Sequence, residues 1–459
     1  MLFNSAAYLF LFLPVAVSAY FLLQFLRFPA GARMSLILAS LVFYGWGGVS
    51  NLPILGTSIL ANFLFARAML SLPRDSHSRR WLLAGSLVFN LLMLGYFKNS
   101  SFLLNTLNGA LGTDFPLPQM TLPLGISFFT LQQIAFQVDT YESLASEKSF
   151  TDYLLFVSFF PLLVSGPIVH HKETMPQLRR PDGWRLNIDN LAAGSFVLFA
   201  GFVKKVLIAD SLAPYVSQGD SSPTFTLFEA WLTSWAFTFQ LYFDFSGYTD
   251  MAIGSALLFN VRLPINFDSP LKSRSIIEFW SRWHITLTNF LTTYIYTPVY
   301  RAFKKRSFAK SLVAVFVTFL ASGIWHGASW TFLLFGMLHG IALLANHCWR
   351  RLKLPMPSFW GWLLTFNVVN LTFVLFRAPR ISDFLRVVRG MIGLNGAALP
   401  ASLESRFMFL KDWGVEFTAL PWSAEASLRL WLMVLASLFI VLSFRNSVTL
   451  SDDLRKHLN

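Results

Sequence analysis

Of 459 residues, 55% are hydrophobic and only 13% are charged, about half the roughly 25% of an ordinary soluble domain, which excludes a soluble globule. The net charge of +13 sits in short loops between apolar runs, which fits the positive-inside pattern of membrane proteins and argues against nucleic-acid binding. The single cysteine, Cys348, excludes an internal disulfide and a multi-cysteine metal site.

Apolar runs of roughly 20 residues, enough to cross a bilayer, recur from end to end without the alternation of barrel strands. The chain therefore reads as an all-α, polytopic integral membrane protein. The first run, 6–26, has no Lys or Arg before it and reads as an uncleaved helix rather than a signal peptide. Runs over 34–45, 52–65 and 81–97 follow, and Arg67, Arg74, Arg79 and Arg80 make the loop before the last of these basic. Alternation of basic and neutral loops places the N-terminus outside the cytoplasm. That pattern breaks at Leu122-Pro-Leu-Gly-Ile-Ser-Phe-Phe-Thr-Leu-Gln132-Gln133, and again over 153–169, where Pro161, Gly166 and Pro167 precede His170-His171-Lys172. Broken backbone is tolerated at membrane depth only where protein or a wet cavity satisfies its polar groups, so at least one re-entrant segment is predicted. Arg179, Arg180 and Arg185 mark a further cytoplasmic loop.

A run over 191–212 is punctured by Lys204-Lys205. Arg274, Glu278 and Arg282 recur every fourth residue, a ladder that can pair its charges along one helical face. Arg301, Lys304, Lys305, Arg306 and Lys310 give the strongest cytoplasmic signal. Spans near 311–324, 327–347, 358–376 and 429–444 complete the bundle, and the loop 377–428 is too polar to cross. The expected organisation is one membrane domain over 1–459 with about eleven to thirteen membrane segments. It comprises N-terminal helices over 1–120, a core over 121–350 and C-terminal helices over 351–459. No fixed-period repeat is visible.

Three polar islands interrupt the oily core sequence: Gln240-Leu-Tyr-Phe-Asp244-Phe-Ser-Gly-Tyr-Thr-Asp250, Glu278-Phe-Trp-Ser-Arg282-Trp-His284-Ile-Thr-Leu-Thr, and Gly323-Ile-Trp325-His326-Gly-Ala-Ser-Trp330 with Gly336-Met-Leu-His339-Gly340. Ionisable groups at membrane depth are expensive and mark function. Gly323 with Gly327, and Gly336 with Gly340, form small-xxx-small patterns that pack helices closely, so histidines bonded to their neighbours are one reading. The other is proton transfer, which imidazole performs near neutral pH. No cysteine or G-x-S-x-G elbow supplies a nucleophile, and a hydroxyl attacking a thioester or acyl carrier needs such a base. His326 is the first candidate. His284 lies on another segment and either approaches His326 or serves as an interfacial histidine beside Trp280 and Trp283. On one straight helix His339 would lie about 20 Å from His326 and on roughly the opposite side, so it reads as structural. Asp244 and Asp250 can orient a histidine or pair with Arg282. His284, His326 and Asp244 can in principle ligate a metal, but no close pair such as H-x-x-x-H is present, and no metal is expected.

These islands, together with Leu122-Pro-Leu-Gly-Ile-Ser-Phe-Phe, Phe159-Phe-Pro, Ser165-Gly-Pro-Ile and Gly201-Phe-Val-Lys-Lys-Val-Leu-Ile-Ala-Asp210-Ser-Leu-Ala, resemble the membrane-bound O-acyltransferase family. The likeness is to its branch of bacterial alginate O-acetyltransferases, which has relatives that D-alanylate teichoic acid, and it covers most of the chain up to about residue 390. The resemblance implies a ring of tilted helices around a thinned centre, with a tunnel from a cytoplasmic donor to an outward acceptor. It implies that His326 is the catalytic histidine and His284 the second site histidine, with Asp244, Arg282, Trp325 and His339 as candidate supporting residues. It also implies no bound cofactor, acetyl-CoA or an acyl carrier as donor substrate, periplasmic acetyltransferase or polysaccharide-export proteins as partners, and a multi-pass location in the bacterial inner membrane. One departure is Thr292-Thr293, where this branch commonly has Arg-Asp before a Tyr-hydrophobic-Tyr motif and then a Pro-Leu-Gly-Gly turn; here the chain reads Thr292-Thr293-Tyr294-Ile-Tyr296-Thr-Pro298-Val-Tyr300. Cellulose or a capsular polymer thus stays open beside alginate as acceptor. A transporter or lipid-linked sugar flippase is the rival reading, since broken helices and buried acids suit it too. Against it stands the lack of internal repeat symmetry. A structural scaffold leaves the polar islands unexplained.

Overall fold

The computed structural model describes residues 1–118, 121–179, 185–418 and 421–458; Arg180 lies outside them. In chain order the helices are α1 (Leu13–Phe25), α2 (Pro29–Gly45), α3 (Asn51–Leu70), α4 (His77–Leu111), α5 (Ile126–Tyr141), α6 (Phe150–Ser158), α7 (Phe160–Leu163), α8 (His171–Arg179), α9 (Ile188–Phe202) and α10 (Asp210–Asp220). There follow α11 (Leu227–Leu258), α12 (Ile276–Arg282), α13 (Ile285–Leu291), α14 (Thr297–Ala302), α15 (Phe308–His326), α16 (Trp330–Leu352) and α17 (Ser358–Arg377). The chain ends with α18 (Ile381–Met391), α19 (Glu404–Phe407), α20 (Ala424–Ser443) and α21 (Ser447–Leu458). Strands β1 (Ala397–Pro400) and β2 (Val415–Thr418) pair in parallel, with Ala397 opposite Val415. Among the described residues eight helical stretches are long and apolar enough to cross a membrane, and α2 is apolar but shorter. This is a multi-pass helical membrane protein. The loop 377–428, expected not to cross, folds into α18, the small sheet and short helical turns.

By internal contact the chain divides into two compact units, one of Met1–Gly201, Tyr248–Asn266 and Ser447–Asn459, the other of Phe202–Gly247 and Phe267–Asn446. In the first, amides do the joining that hydrophobicity cannot do between helices in lipid. Asn62 and Asn90 exchange hydrogen bonds of 3.1 and 2.7 Å, Gln137 Nε2 donates to Asn62 Oδ1 at 3.0 Å, and Gln133 Nε2 donates to Ser58 Oγ at 2.7 Å. The broken segment is satisfied by protein, as such backbone at membrane depth must be. Where α6 stops at Phe159 and α7 restarts, the Phe160 N–H donates to Ser40 Oγ at 3.1 Å. Gly125, with φ +71°, begins α5 so close to the same segment that a Cβ would lie 2.4 Å from the Leu163 carbonyl oxygen. His170 and His171 turn their Nδ1 atoms to the buried Asp139, at 3.7 and 3.4 Å.

The second unit is built on an aromatic core that includes Trp280, Trp283, Phe319, Phe335 and Phe373. Its hairpin of α15 and α16 is set by two serines and two glycines. Ser307 Oγ caps α15 by accepting the Lys310 N–H, and Ser329 Oγ caps α16 by accepting the Phe332 N–H, the roles serine commonly takes at helix starts. The helices cross at Gly323 and Gly336, where a Cβ on either would lie 2.4 Å from a backbone oxygen of the other helix, that of Phe332 or of Phe319. The contact thus joins one glycine from each predicted pattern across the hairpin. His326 is the last residue of α15 and His339 lies on α16, so the two histidines are not on one straight helix.

Candidate active site

Three histidines gather in the second unit. His326, half-buried, packs edge-on against Phe335 and Phe376 with ring centroids 5.6 and 5.5 Å away, and its neighbour Trp325 stands at 4.9 Å. Trp325 is in turn 6.3 Å from His284. Both His284 and His339 lie within electrostatic range of His326. The separation expected for His326 and His339 is corrected by the reversal at 327–329: Phe335, one turn before His339 on α16, touches both rings, at 5.6 and 4.6 Å.

His284 holds the turn between α12 and α13 with φ 45° and ψ 52°. A left-handed conformation at a non-glycine residue costs on the order of 1–3 kcal/mol and persists only where the surroundings over-determine it. Here they do. Ser275 Oγ caps α12 from the Glu278 N–H, the Trp283 N–H donates to the Phe279 carbonyl at 2.7 Å, and the His284 carbonyl starts α13 by accepting from Thr288. The ring is 1% exposed and sits edge-on to Phe245 at 4.8 Å, with Phe267 beside it. An imidazole so enclosed suits hydrogen bonding in its neutral form, since a buried unpaired charge is costly.

The remaining residues divide. His339 is fully buried, and its Nδ1 accepts the indole N–H of Trp280 at 3.2 Å, which fixes the tautomer with the proton on Nε2. Arg282 pairs with Glu278 at 3.0 Å, as the ladder predicts, and donates to the Asp268 backbone carbonyl at 3.3 Å while the Asp268 backbone N–H donates back to the Arg282 carbonyl at 2.9 Å. Arg282 thus fastens the loop ahead of α12 to the residue two before His284. Asp244 does not pair with Arg282. Lys205, within the π-helical stretch Val203–Ala209, reaches Asp244 and Asp210 at 2.6 Å each. Asp250 is buried in the other unit. Among the described residues no group of three or more His, Cys, Asp or Glu could hold a metal ion, so His284, His326 and Asp244 do not form the triad considered from sequence. Phe335, Phe376 and Lys205 are the neighbours that sequence reasoning did not assign. Only Lys205 left a signal, as a cation in an apolar run.

The profile of the membrane-bound O-acyltransferase family matches residues 87–382, a span that contains all three histidines. The chain belongs to that family. It is 43% identical over 431 residues to a peptidoglycan O-acetyltransferase of Helicobacter pylori, covering 87% of this chain and 81% of that one. A probable alginate O-acetylase AlgI of Pseudomonas aeruginosa is 35% identical over 86% of this chain and 75% of its own length. A probable alginate O-acetylase AlgI of Pseudomonas putida is 32% identical over 98% and 97%. As a member of this family the protein is an O-acyltransferase and not the transporter or flippase of the rival reading.

Proposed function

We propose that this O-acyltransferase moves acetyl groups from a thioester donor towards a glycan outside the bacterial inner membrane, with His326 as general base. The observation that carries the assignment is the position of His326, half-buried at the end of a membrane-crossing helix, in range of a second imidazole held in a strained backbone conformation. Acetyl is the group named for the three relatives above. Acetyl-CoA or an acyl carrier is the donor, approaching from the end where Arg301, Lys304, Lys305, Arg306 and Lys310 collect, because basic loops face the cytoplasm and attract phosphates. His326 stands 18 residues along α15 from Phe308, about 27 Å at 1.5 Å per residue, so the thioester must arrive on an extended arm.

In the step itself an imidazole nitrogen of His326 takes the proton of the acceptor hydroxyl as the oxygen attacks the thioester carbonyl. Collapse of the tetrahedral adduct forms the ester, breaks the C–S bond and returns the proton from His326 to the departing thiolate. His284 supports the developing oxyanion by hydrogen bonding, Trp325 touches both rings and holds them in register, and Phe335 packs against His326. The acceptor is an exported glycan or a periplasmic partner that relays the acetyl group. Peptidoglycan is favoured over alginate by the greater identity to the Helicobacter pylori protein and by Thr292-Thr293, both exposed on a π-helical turn, in place of the charge pair common in the alginate branch.

The experiment is to quantify ester-linked acetate in peptidoglycan and in exported polysaccharide from cells with the wild type, a deletion, and His326→Ala at matched membrane levels. Acetate in one fraction falling to the deletion level in the variant supports the reading and identifies the acceptor. Wild-type acetate in the variant removes His326 as base, and equal acetate in deletion and wild type removes acetyl transfer altogether.

A further inference from the structure

Away from the histidines, α12, α16 and α17 surround a cavity of ≈ 990 Å³, at the upper end of the roughly 300–1,000 Å³ of small-molecule sites. Its wall is largely apolar, formed by Ile277, Ala342, Ala345, Met356, Leu364 and Val368. The small side chains of Ala342 and Ala345 hollow that face of α16, and Gly361 lets α17 approach the Arg274 carbonyl, which a Cβ would meet at 2.6 Å. One end is basic, with Arg274, Arg350 and Lys353 against the single carboxylate of Glu278. That carboxylate is already engaged, by Arg282 at 3.0 Å and by the Arg274 N–H at 2.9 Å. Arg274 also donates to Ser358 Oγ at 3.1 Å, while among the described residues Arg350 and Lys353 form no ion pair. Of the lining residues Leu354 and Leu364 are 48 and 58% exposed, and Phe359 and Trp360, which directly precede the lining residue Gly361, are 60 and 59% exposed, an apolar surface that lipid covers better than water does.

We propose that this cavity binds an anionic phospholipid, its phosphate between Arg274, Arg350 and Lys353 and an acyl chain along Ile277, Ala342, Ala345, Leu364 and Val368. Basic pockets between membrane helices hold anionic headgroups, and tryptophans such as Trp349 and Trp360 settle at the headgroup level. The occupant is a lipid and not the acyl donor because the apolar wall is continuous with the lipid-facing surface and needs hydrocarbon to cover it. A coenzyme-like donor offers phosphates without that hydrocarbon. The site stands apart from the acyl-transfer reading and does not depend on it.

The test uses the full chain purified in neutral detergent and stripped of lipid, titrated with phosphatidylglycerol or phosphatidylcholine and read by native mass spectrometry. One phosphatidylglycerol should bind saturably, about tenfold or more tighter than phosphatidylcholine. Arg350→Gln with Lys353→Gln should weaken phosphatidylglycerol about 30-fold, a loss of roughly fivefold for each cation removed, compounded over the two. Arg351→Gln, which removes one like charge from a side chain stacked over Phe308 at 4.4 Å, should change affinity by less than about twofold. Ala345→Trp, at an exposed helix position, should weaken both lipids by filling the wall. Equal affinity for the two lipids, an unchanged double variant, an equal loss in Arg351→Gln, or displacement of phosphatidylglycerol by free coenzyme A would each overturn the proposal, the last by assigning the cations to the donor.

Discussion

His284 combines two costs that a packing residue would not carry, a left-handed backbone and a buried ring nitrogen. Asparagine tolerates that backbone region better than most residues, so His284→Asn separates strain from chemistry. The variant should fold with an unfolding temperature close to wild type while acyl transfer falls about 10²–10³-fold, the usual loss of one oxyanion donor, because the Asn amide is shorter than the imidazole and does not reach the same point. Thermal unfolding beside initial rates in reconstituted vesicles checks this. A wild-type rate would leave His284 as packing alone. His339 should behave in the opposite sense. Its replacement by Ala strands the buried Trp280 N–H, an unmade hydrogen bond that costs about 1–3 kcal/mol. His339→Ala should therefore unfold at a lower temperature, and His339→Gln, which restores an acceptor, should recover part of the loss. Unfolding at wild-type temperature in the Ala variant would show that the indole bond contributes nothing.

At the scale of elements, the α15–α16 hairpin decides where His326 stands, and Gly323 and Gly336 decide the hairpin. Adding one methyl at Gly336 puts a carbon 2.4 Å from the Phe319 carbonyl, and backbone must move to admit it. Gly336→Ala should destabilise by about 1–3 kcal/mol, the range for overpacked sites, and lower activity with it. Gly95→Ala in α4, where nothing lies within 4 Å of the added carbon, should be neutral or stabilising by about 0.4–1 kcal/mol. Equal unfolding temperatures for the two variants would remove the hairpin contact as the cause. The glycines were visible in the sequence as packing patterns, and Pro123, Gly125, Pro161 and Gly166 announced the broken segments because those residues carry their constraint locally. The reversal after His326 was less visible, since Gly327-Ala-Ser-Trp330 is brief and its geometry depends on a contact between two helices. The pairing of Lys205 with Asp244 was hidden for the same reason: it joins residues far apart in sequence, and only the three-dimensional path of the stretch Val203–Ala209 and of α11 brings them together. The motif residues of the site were readable, whereas Phe335 and Phe376 look like any of the 49 phenylalanines.

For the molecule as a whole, the proposed reaction requires the basic end of α15 and the His326 end to face opposite sides of the membrane. Helices α15, α16 and α17 run in succession, so Arg306, Lys353 and Pro357 belong to one end while His326, Trp330 and Arg377 belong to the other. The positive-inside rule places the first end in the cytoplasm, and the segment carrying α18, α19 and the sheet continues from the second. In a Cys348→Ala background, Lys305→Cys and Ser405→Cys each place one thiol at an exposed position on the two ends. A membrane-impermeant maleimide applied to intact spheroplasts should label Ser405→Cys and spare Lys305→Cys until the membrane is opened. Such labelling puts the half-buried imidazole towards the side of the glycan and the cations towards the side of the thioester, so the donor arm has to cross most of the bilayer before chemistry begins. Labelling of Lys305→Cys from outside would invert the chain and require the donor to be exported first, which no cytoplasmic thioester satisfies.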